Sequence, residues 1–396
     1  MVVRGIYTKA ESKMLSEWHE RADRLVGWLG ETPTKDVPYP VSHRVATKEL
    51  ILHMAYAADY WNPLWRDENY ARNTRWGSII APPFFQHCVS HGGVRHPMEM
   101  PPEDGIAMMS HDDICDRWEF FKPIHVNDSF RVWNGPAKIE DITKSDEDAL
   151  RKFKTTSEMY YINQKDEVVS SLNKDIYVVI LPPGTKTASK KSFTKEYVYT
   201  REEIAVIDRA CDAEEIRGAK PRFWEDVKIG DELKPVVMGP ITAWDTVVEM
   251  QGFGVGLLPM REVRRQTPER VLIDPLTNIP HKSIELHLTE TGGRINLQYS
   301  TTILGVTTHH FLGRLITNWM GDDGFLRKFK WRKLHNAPLG DTIFGRGKVT
   351  EKYIDDSGDY MADLDTWMET IRGYVANVGT ATVSLPSKEK MFRPLG

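Results

Sequence analysis

The sequence predicts an α+β fold of two related units lying side by side, and three observations carry that expectation. At 396 residues the chain exceeds one ordinary core and suits two of ~150 to 200 residues each. Helix-rich stretches lead twice into long runs of β-branched and aromatic residues. The order of events also repeats: Pro123-Ile-His-Val-Asn-Asp-Ser-Phe leads into β segments closing at Ile180-Leu181-Pro182, and Pro338-Leu-Gly-Asp-Thr-Ile-Phe leads into β segments closing at Ser384-Leu385-Pro386. Duplication is the economical explanation.

Along the chain, Leu15, Trp18, Ala22, Leu25 and Leu29 recur at spacings of three and four, which predicts an amphipathic helix over 12–29 acting as an N-terminal cover. Pro33, Pro38 and Pro40 break helical continuity, and Thr47 is the expected N-cap of a second helix through Tyr56. After Pro82 and Pro83, the apolar run Phe84–His91 ends at Gly92-Gly93. From Asp116 the chain reads as β, with strands expected at 118–121, 129–133, 155–162 and 176–180. Pro182-Pro183-Gly184 and the Lys/Ser/Thr-rich run to Lys195 read as a solvated linker, although a contact with the phosphates of a CoA nucleotide is a second reading of Lys186–Lys195. A helix is expected over 201–217, and Phe223-Trp-Glu-Asp-Val-Lys-Ile-Gly-Asp reads as a strand and turn opening a new unit. The expected division is therefore 1–184, a linker and helix at 185–220, and 221–396.

Composition narrows the function. Hydrophobic residues make up 40% and charged residues 27% of the chain, with 12 Trp and 14 Phe, enough apolar surface for packed cores and aromatic pockets. A net charge of -4, with the two signs mixed, argues against a nucleic-acid partner. Cys88, Cys115 and Cys211 are odd in number and lie far apart, which speaks against a disulfide framework or a zinc cluster and points to a reducing cytoplasm. Glu11, Glu17, Glu20 and Asp23 interrupt the apolar positions near the N-terminus, so neither a signal peptide nor a membrane anchor is expected.

The densest local signal is Ala58-Asp-Tyr-Trp-Asn-Pro-Leu-Trp-Arg-Asp67, followed by Tyr70-Ala71 and Trp76-Gly-Ser-Ile-Ile-Ala-Pro-Pro83. This run resembles the D-x-N-P-x-H hydratase motif of the MaoC-like acyl-CoA hydratase/dehydratase group, with the glycine, alanine and apolar turn that shape its acyl pocket. Leu315-Ile-Thr-Asn-Trp-Met-Gly-Asp-Asp-Gly324, Gly340-Asp-Thr and Gly379-Thr-Ala-Thr-Val-Ser-Leu-Pro386 look like the C-terminal half of two-domain members, so the resemblance spans most of residues 40–390. It implies a double hotdog, in which each unit wraps an antiparallel sheet around a long helix. It also implies reversible addition of water to a 2-enoyl-CoA, with an acyl-CoA as ligand and no metal or organic cofactor. Such an addition needs a base to activate water, an acid to protonate the α-carbon, and N–H groups to hold the developing enolate oxygen. Tyr60, Trp65, Gly77, Ile80, Ala81, Pro82 and His87 are the implied substrate-binding residues.

The sequence departs from the motif twice. Tyr60 stands two residues before Asn62, with Asp59 shifted by one, and Trp65 occupies the histidine position. An indole N–H only donates, so Trp65 cannot shuttle a proton. Asp59 and Asn62 are the expected catalytic pair that positions the water. The missing proton carrier must be another histidine: His87 and His91 are candidates, and His287 in Glu285-Leu-His-Leu-Thr-Glu290 is the one to test first. Each has a plainer reading. Asp59 also suits a helix end that binds backbone N–H groups, Asn62-Pro63 is a common turn, and His287 also suits an ordinary satisfied histidine. His309-His310 lacks carboxylates at ligand spacing and Gly252-Phe-Gly-Val-Gly256 lacks the third glycine of a dinucleotide fingerprint, which argues against metal and NAD. Two rivals to the hydro-lyase stay open: a hotdog thioesterase, and a catalytically silent acyl-CoA-binding subunit. A homodimer is expected from the general prevalence of two-fold assemblies.

Overall fold

A computed structural model describes residues 3–29, 43–89, 107–144, 150–181, 194–254, 259–266, 271–274, 276–295 and 301–389. His91 and most of the Lys186–Lys195 run lie outside them. Among the described residues no helix is long and apolar enough to cross a membrane.

Helix α1 (Lys9–Leu25) begins at a capping box, where Thr8 and Glu11 each accept a hydrogen bond from the other's backbone N–H. Its apolar side packs Met14 and Trp18 on Phe153, Ile176, Val178 and Ile180, so it covers the sheet as its periodicity predicts. The buried ion pair of Arg151 Nε with Glu11 Oε1, 2.9 Å, fixes its position. Helix α2 (Lys48–Ala58) starts where expected, with Thr47 Oγ1 accepting from Leu50 N. The short helices α3 (Glu68–Arg72) and α4 (Gln86–Val89) follow. Strands β1 (Ala107–Phe120), β2 (Phe130–Asn134), β3 (Lys138–Asp141), β4 (Arg151–Asn163) and β5 (Val168–Leu181) complete the first half. All but β3, which no expected β run covers, overlap or extend one.

The second half follows α5 (Arg201–Asp212) and repeats this plan with β6 (Val236–Met238), α6 (Ala243–Gly252), α7 (Met260–Gln266), a small hairpin of β7 (Val271–Ile273) and β8 (Pro280–Lys282), α8 (Glu290–Ile295) and α9 (Gly305–Met320). Strands β9 (Phe325–Lys333), β10 (Ile343–Ile354), β11 (Tyr360–Thr370) and β12 (Val375–Ser384) close it. The segment at Phe223 is not a strand: Trp224–Asp226 form a single 3-10 turn. Trp224 docks where β11 starts and β12 ends, with its backbone N–H donating to Pro386 O and its indole N–H to Met361 O. Those bonds would be lost in a strand at that position.

One antiparallel sheet runs β2-β4-β5-β1-β9-β12-β11-β10-β6, with β3 beside β4. The order β2-β4-β5-β1 in one half mirrors β10-β11-β12-β9 in the other. The halves join where Cys115–Glu119 of β1 pairs with Lys328–Arg332 of β9. Helix α9 runs through the core, with every residue buried except Gly305 and Arg314, as befits a helix covered on all sides. Gly313 permits this packing, since a Cβ there would lie 2.8 Å from the ring of Phe84. The architecture is the expected double hotdog, with two half-sheets fused edge to edge around buried helix.

Candidate active site

The motif segment leaves α2 at Asp59 and makes one 3-10 turn, Pro63–Trp65, capped by Asn62 Oδ1 accepting from Leu64 N at 3.1 Å. This turn folds Trp65 back on the helix end, so that its indole N–H donates to Asp59 Oδ2 at 2.8 Å. Thr317 of α9 approaches the same oxygen at 3.5 Å. Asp59 is only 4% exposed. Burial pushes its carboxyl up to about 6, against the lowering influence of the Trp65 N–H and the Arg314 guanidinium. The indole thus supplies a hydrogen bond where the motif would have an imidazole, and supplies no proton acceptor.

Beside this turn a cleft opens at the seam of the two halves, with roughly 570 Å³ of space including its open mouth. The first half contributes Asn62, Trp65 and Trp76, the turn Ile80–Pro83, Gln86 and Phe120–Ile124 without Phe121; the second contributes Thr317, Met320–Asp322 and Gly324–Leu326. Trp76 is held across the seam, its indole N–H donating to Asp322 O at 2.8 Å with the Arg75 guanidinium 4.1 Å over its rings. Burial lowers the Arg75 pKa to about 10.

Of the residues expected from the sequence, Asn62, Trp65, Ile80, Ala81 and Pro82 line the cleft, with Asp59 directly behind Trp65. Tyr60 and Gly77 do not line it: Tyr60 is 41% exposed and packs edge to face with Trp61 and at a tilt with Tyr56, while Gly77, φ +67°, shapes the turn before Ile80. The histidines are also elsewhere. His287 sits on a 3-10 turn in the second half, its Nδ1 2.7 Å from Thr302 O. His87 is buried in the core, its Nδ1 3.1 Å from His310 Nε2. Because α4 turns back under Phe84, His87 faces α9 rather than the cleft.

His309 and His310, set aside for want of nearby carboxylates in sequence, acquire them in the fold. His310 Nδ1 bonds Glu249 of α6, and His309 Nε2 lies 3.2 Å from Asp116 Oδ2 of β1. Asp116 is also within 3.4 Å of the buried Lys174 amine. Among the described residues no group of these side chains has the geometry to hold a metal ion. The sequence reading also missed Asp322 and Tyr70 as a pair. Both stand in quoted segments, but they are 252 positions apart and only folding brings Tyr70 Oη to 2.5 Å from Asp322 Oδ2.

Residues 36–172 match the model of a family described as FAS1-like, dehydratase domain region. No curated protein matches the chain in sequence. Among solved structures, a MaoC-like dehydratase is 16% identical, covers 93% of this chain and 100% of its own, and superposes with a TM-score of 0.58. A MaoC-domain dehydratase protein of Chloroflexus aurantiacus J-10-fl is 12% identical, with 92% and 96% covered and a TM-score of 0.50. These findings define the class as a double-hotdog protein with the fold of the MaoC-like dehydratases. The likeness read from residues 58–83 is borne out in fold over nearly the whole chain, and the stretch 36–172 that contains it matches a dehydratase-region model.

Proposed function

We propose that this seam cleft is the site of a hydro-lyase acting on an acyl-CoA thioester, hydrating a 2-enoyl-CoA or dehydrating the 3-hydroxyacyl product. The observation that carries the reading is Asp59, a buried carboxyl held by Trp65 and raised to about 6, behind a cleft with an apolar, aromatic wall. A base with a pKa just below neutrality is ionised at pH 7 yet strong enough to take a proton from water as it attacks the β-carbon. Asn62, beside Asp59 and lining the cleft, is the side chain to orient that water. The match to a dehydratase family over 36–172 supports the same reaction class.

Trp65 in place of the motif histidine favours one rival, an acyl-CoA-binding chain without turnover. The test is a panel of enoyl-CoA thioesters, followed by product mass and free-thiol release, with Asp59→Asn beside the parent. Water addition without thiol release, reduced 10²-fold or more in a folded Asp59→Asn protein, is the expected result. Thiol release would establish a thioesterase, and binding without turnover would establish the silent chain.

A further inference from the structure

A hydration needs a second group to protonate the α-carbon, and Trp65 cannot be it. Among the described residues lining the cleft, only Lys122 and Asp322 are ionisable, and the Lys122 amine lies 2.8 Å from Glu167. Asp322 follows the C-terminus of α9. It is fixed from three directions: its Oδ2 accepts from Tyr70 Oη at 2.5 Å, its carbonyl accepts from Trp76 Nε1 at 2.8 Å, and its N–H donates to Gly218 O at 3.0 Å.

The loop crossing that achieves this is tight. A Cβ on Gly218, φ +56°, would lie 2.8 Å from Tyr70 Oη, and one on Gly321, φ +72°, would lie 3.1 Å from Gly218 O. Gln86, 3% exposed, also lines the cleft; its Nε2 donates to Ser170 Oγ at 2.9 Å and its Oε1 is buried without a partner among the described residues. A buried acceptor in that state calls for a hydroxyl or water donor.

Resting on the hydro-lyase reading, we infer that Asp322 exchanges the proton at the substrate α-carbon, that Tyr70 is its positioning residue, and that Gln86 Oε1 receives the hydroxyl being added or removed. In hydration Asp59 takes a proton from water as the new C–O bond forms at the β-carbon. The π electrons move toward the thioester oxygen, and the Asp322 carboxyl delivers its proton to the α-carbon. Asp59 then loses a proton to solvent and Asp322 regains one; dehydration is the reverse. Asp322 suits the acid role, because burial and neighbouring Asp323 raise its pKa against the lowering hydrogen bond of Tyr70.

The experiment separates the two proton transfers. Enoyl-CoA hydration is measured beside exchange of α-hydrogens of saturated acyl-CoA thioesters into deuterated water, which needs no β-carbon chemistry. The proteins are the parent, Asp322→Asn, Tyr70→Phe and Asp59→Asn, each checked for a cooperative melt. Asp322→Asn is expected to lose both activities by 10²- to 10⁴-fold, and Asp59→Asn to lose hydration while keeping exchange. Tyr70→Phe, without the bond that lowers the Asp322 pKa, is expected to shift the acid limb of exchange to higher pH. A parent that hydrates while Asp322→Asn stays within about threefold in both assays overturns the inference and leaves the hydro-lyase reading standing. So does an unshifted Tyr70→Phe profile if Asp322→Asn fails to fold. A parent that hydrates no thioester overturns the reading and the inference together.

Discussion

At the scale of single residues the site turns on Asp59, a carboxyl kept from water. Its folded pKa of about 6 lies above the ordinary 3.8, so the folded state holds its proton more tightly than the unfolded chain does. The sign follows from linkage: stability on account of Asp59 is greatest below about pH 4 and is lost as pH rises toward 6. At ~1.4 kcal/mol per pKa unit, the cost of ionising it is roughly 3 kcal/mol at neutral pH. Asp59→Asn is therefore expected to be more stable than the parent by about 1 to 3 kcal/mol at pH 8, with the gap closing by pH 4. Urea titrations at the two values check this, and an equal gap at both would refute it. Trp65→Phe makes the converse case. It removes the indole donor at 2.8 Å and leaves the anion less satisfied, so it is expected to destabilise by about 1 to 3 kcal/mol at pH 8 and by less at pH 4.

At the scale of elements, α9 and the turn before α4 determine where the chemistry sits. Phe84 adopts φ +68°, unusual for a residue with a bulky side chain, and its ring fills the space left by Gly313, against Trp118, Phe120 and Phe329. Gly313→Ala drives a methyl into that ring. It is expected to cost about 1 to 3 kcal/mol, seen as a lower thermal midpoint with unchanged helicity. Thr47→Ala removes the cap of α2 and is expected to cost ~1 kcal/mol. Because Asp59 ends the same helix, a matching fall in hydratase activity would show that the cap also aligns the site. Sequence periodicity located α1, whose apolar face meets the sheet, and the Thr47 cap located α2. Neither signal anticipated how fully α9 is enclosed, because the elements that cover it, among them α2, β6, β10 and β11, lie elsewhere in the chain.

At the scale of the whole molecule, the β1–β9 seam makes two half-sheets into one and builds the cleft from both. Halves expressed separately would each expose an unpaired strand edge and a bared core face. Fragments cut between residues 184 and 194 are expected to aggregate alone and to recover a soluble complex, with acyl-CoA binding, when co-expressed. Size-exclusion chromatography reads this outcome, and a soluble, monomeric first half would contradict it. Buried polar contacts also cross the seam, as between Asp116 and His309 and between His87 and His310. They couple the halves beyond the backbone pairing, and none was legible in the sequence.

The sequence by itself determined the α+β class, the duplicated order of elements, the capped helix before the motif, and the segment from Asp59 to Pro82 that supplies much of the cleft wall. Those features are local: periodicity, caps and turn residues act within a few positions. The tertiary structure decided which ionisable groups meet. It left His287 and His87 off the cleft wall, gave His309 and His310 carboxylate partners from other elements, and brought Asp322 and Tyr70 together. Sequence spacing carries no record of such meetings, because they depend on strand order and on the edge along which the two halves fuse.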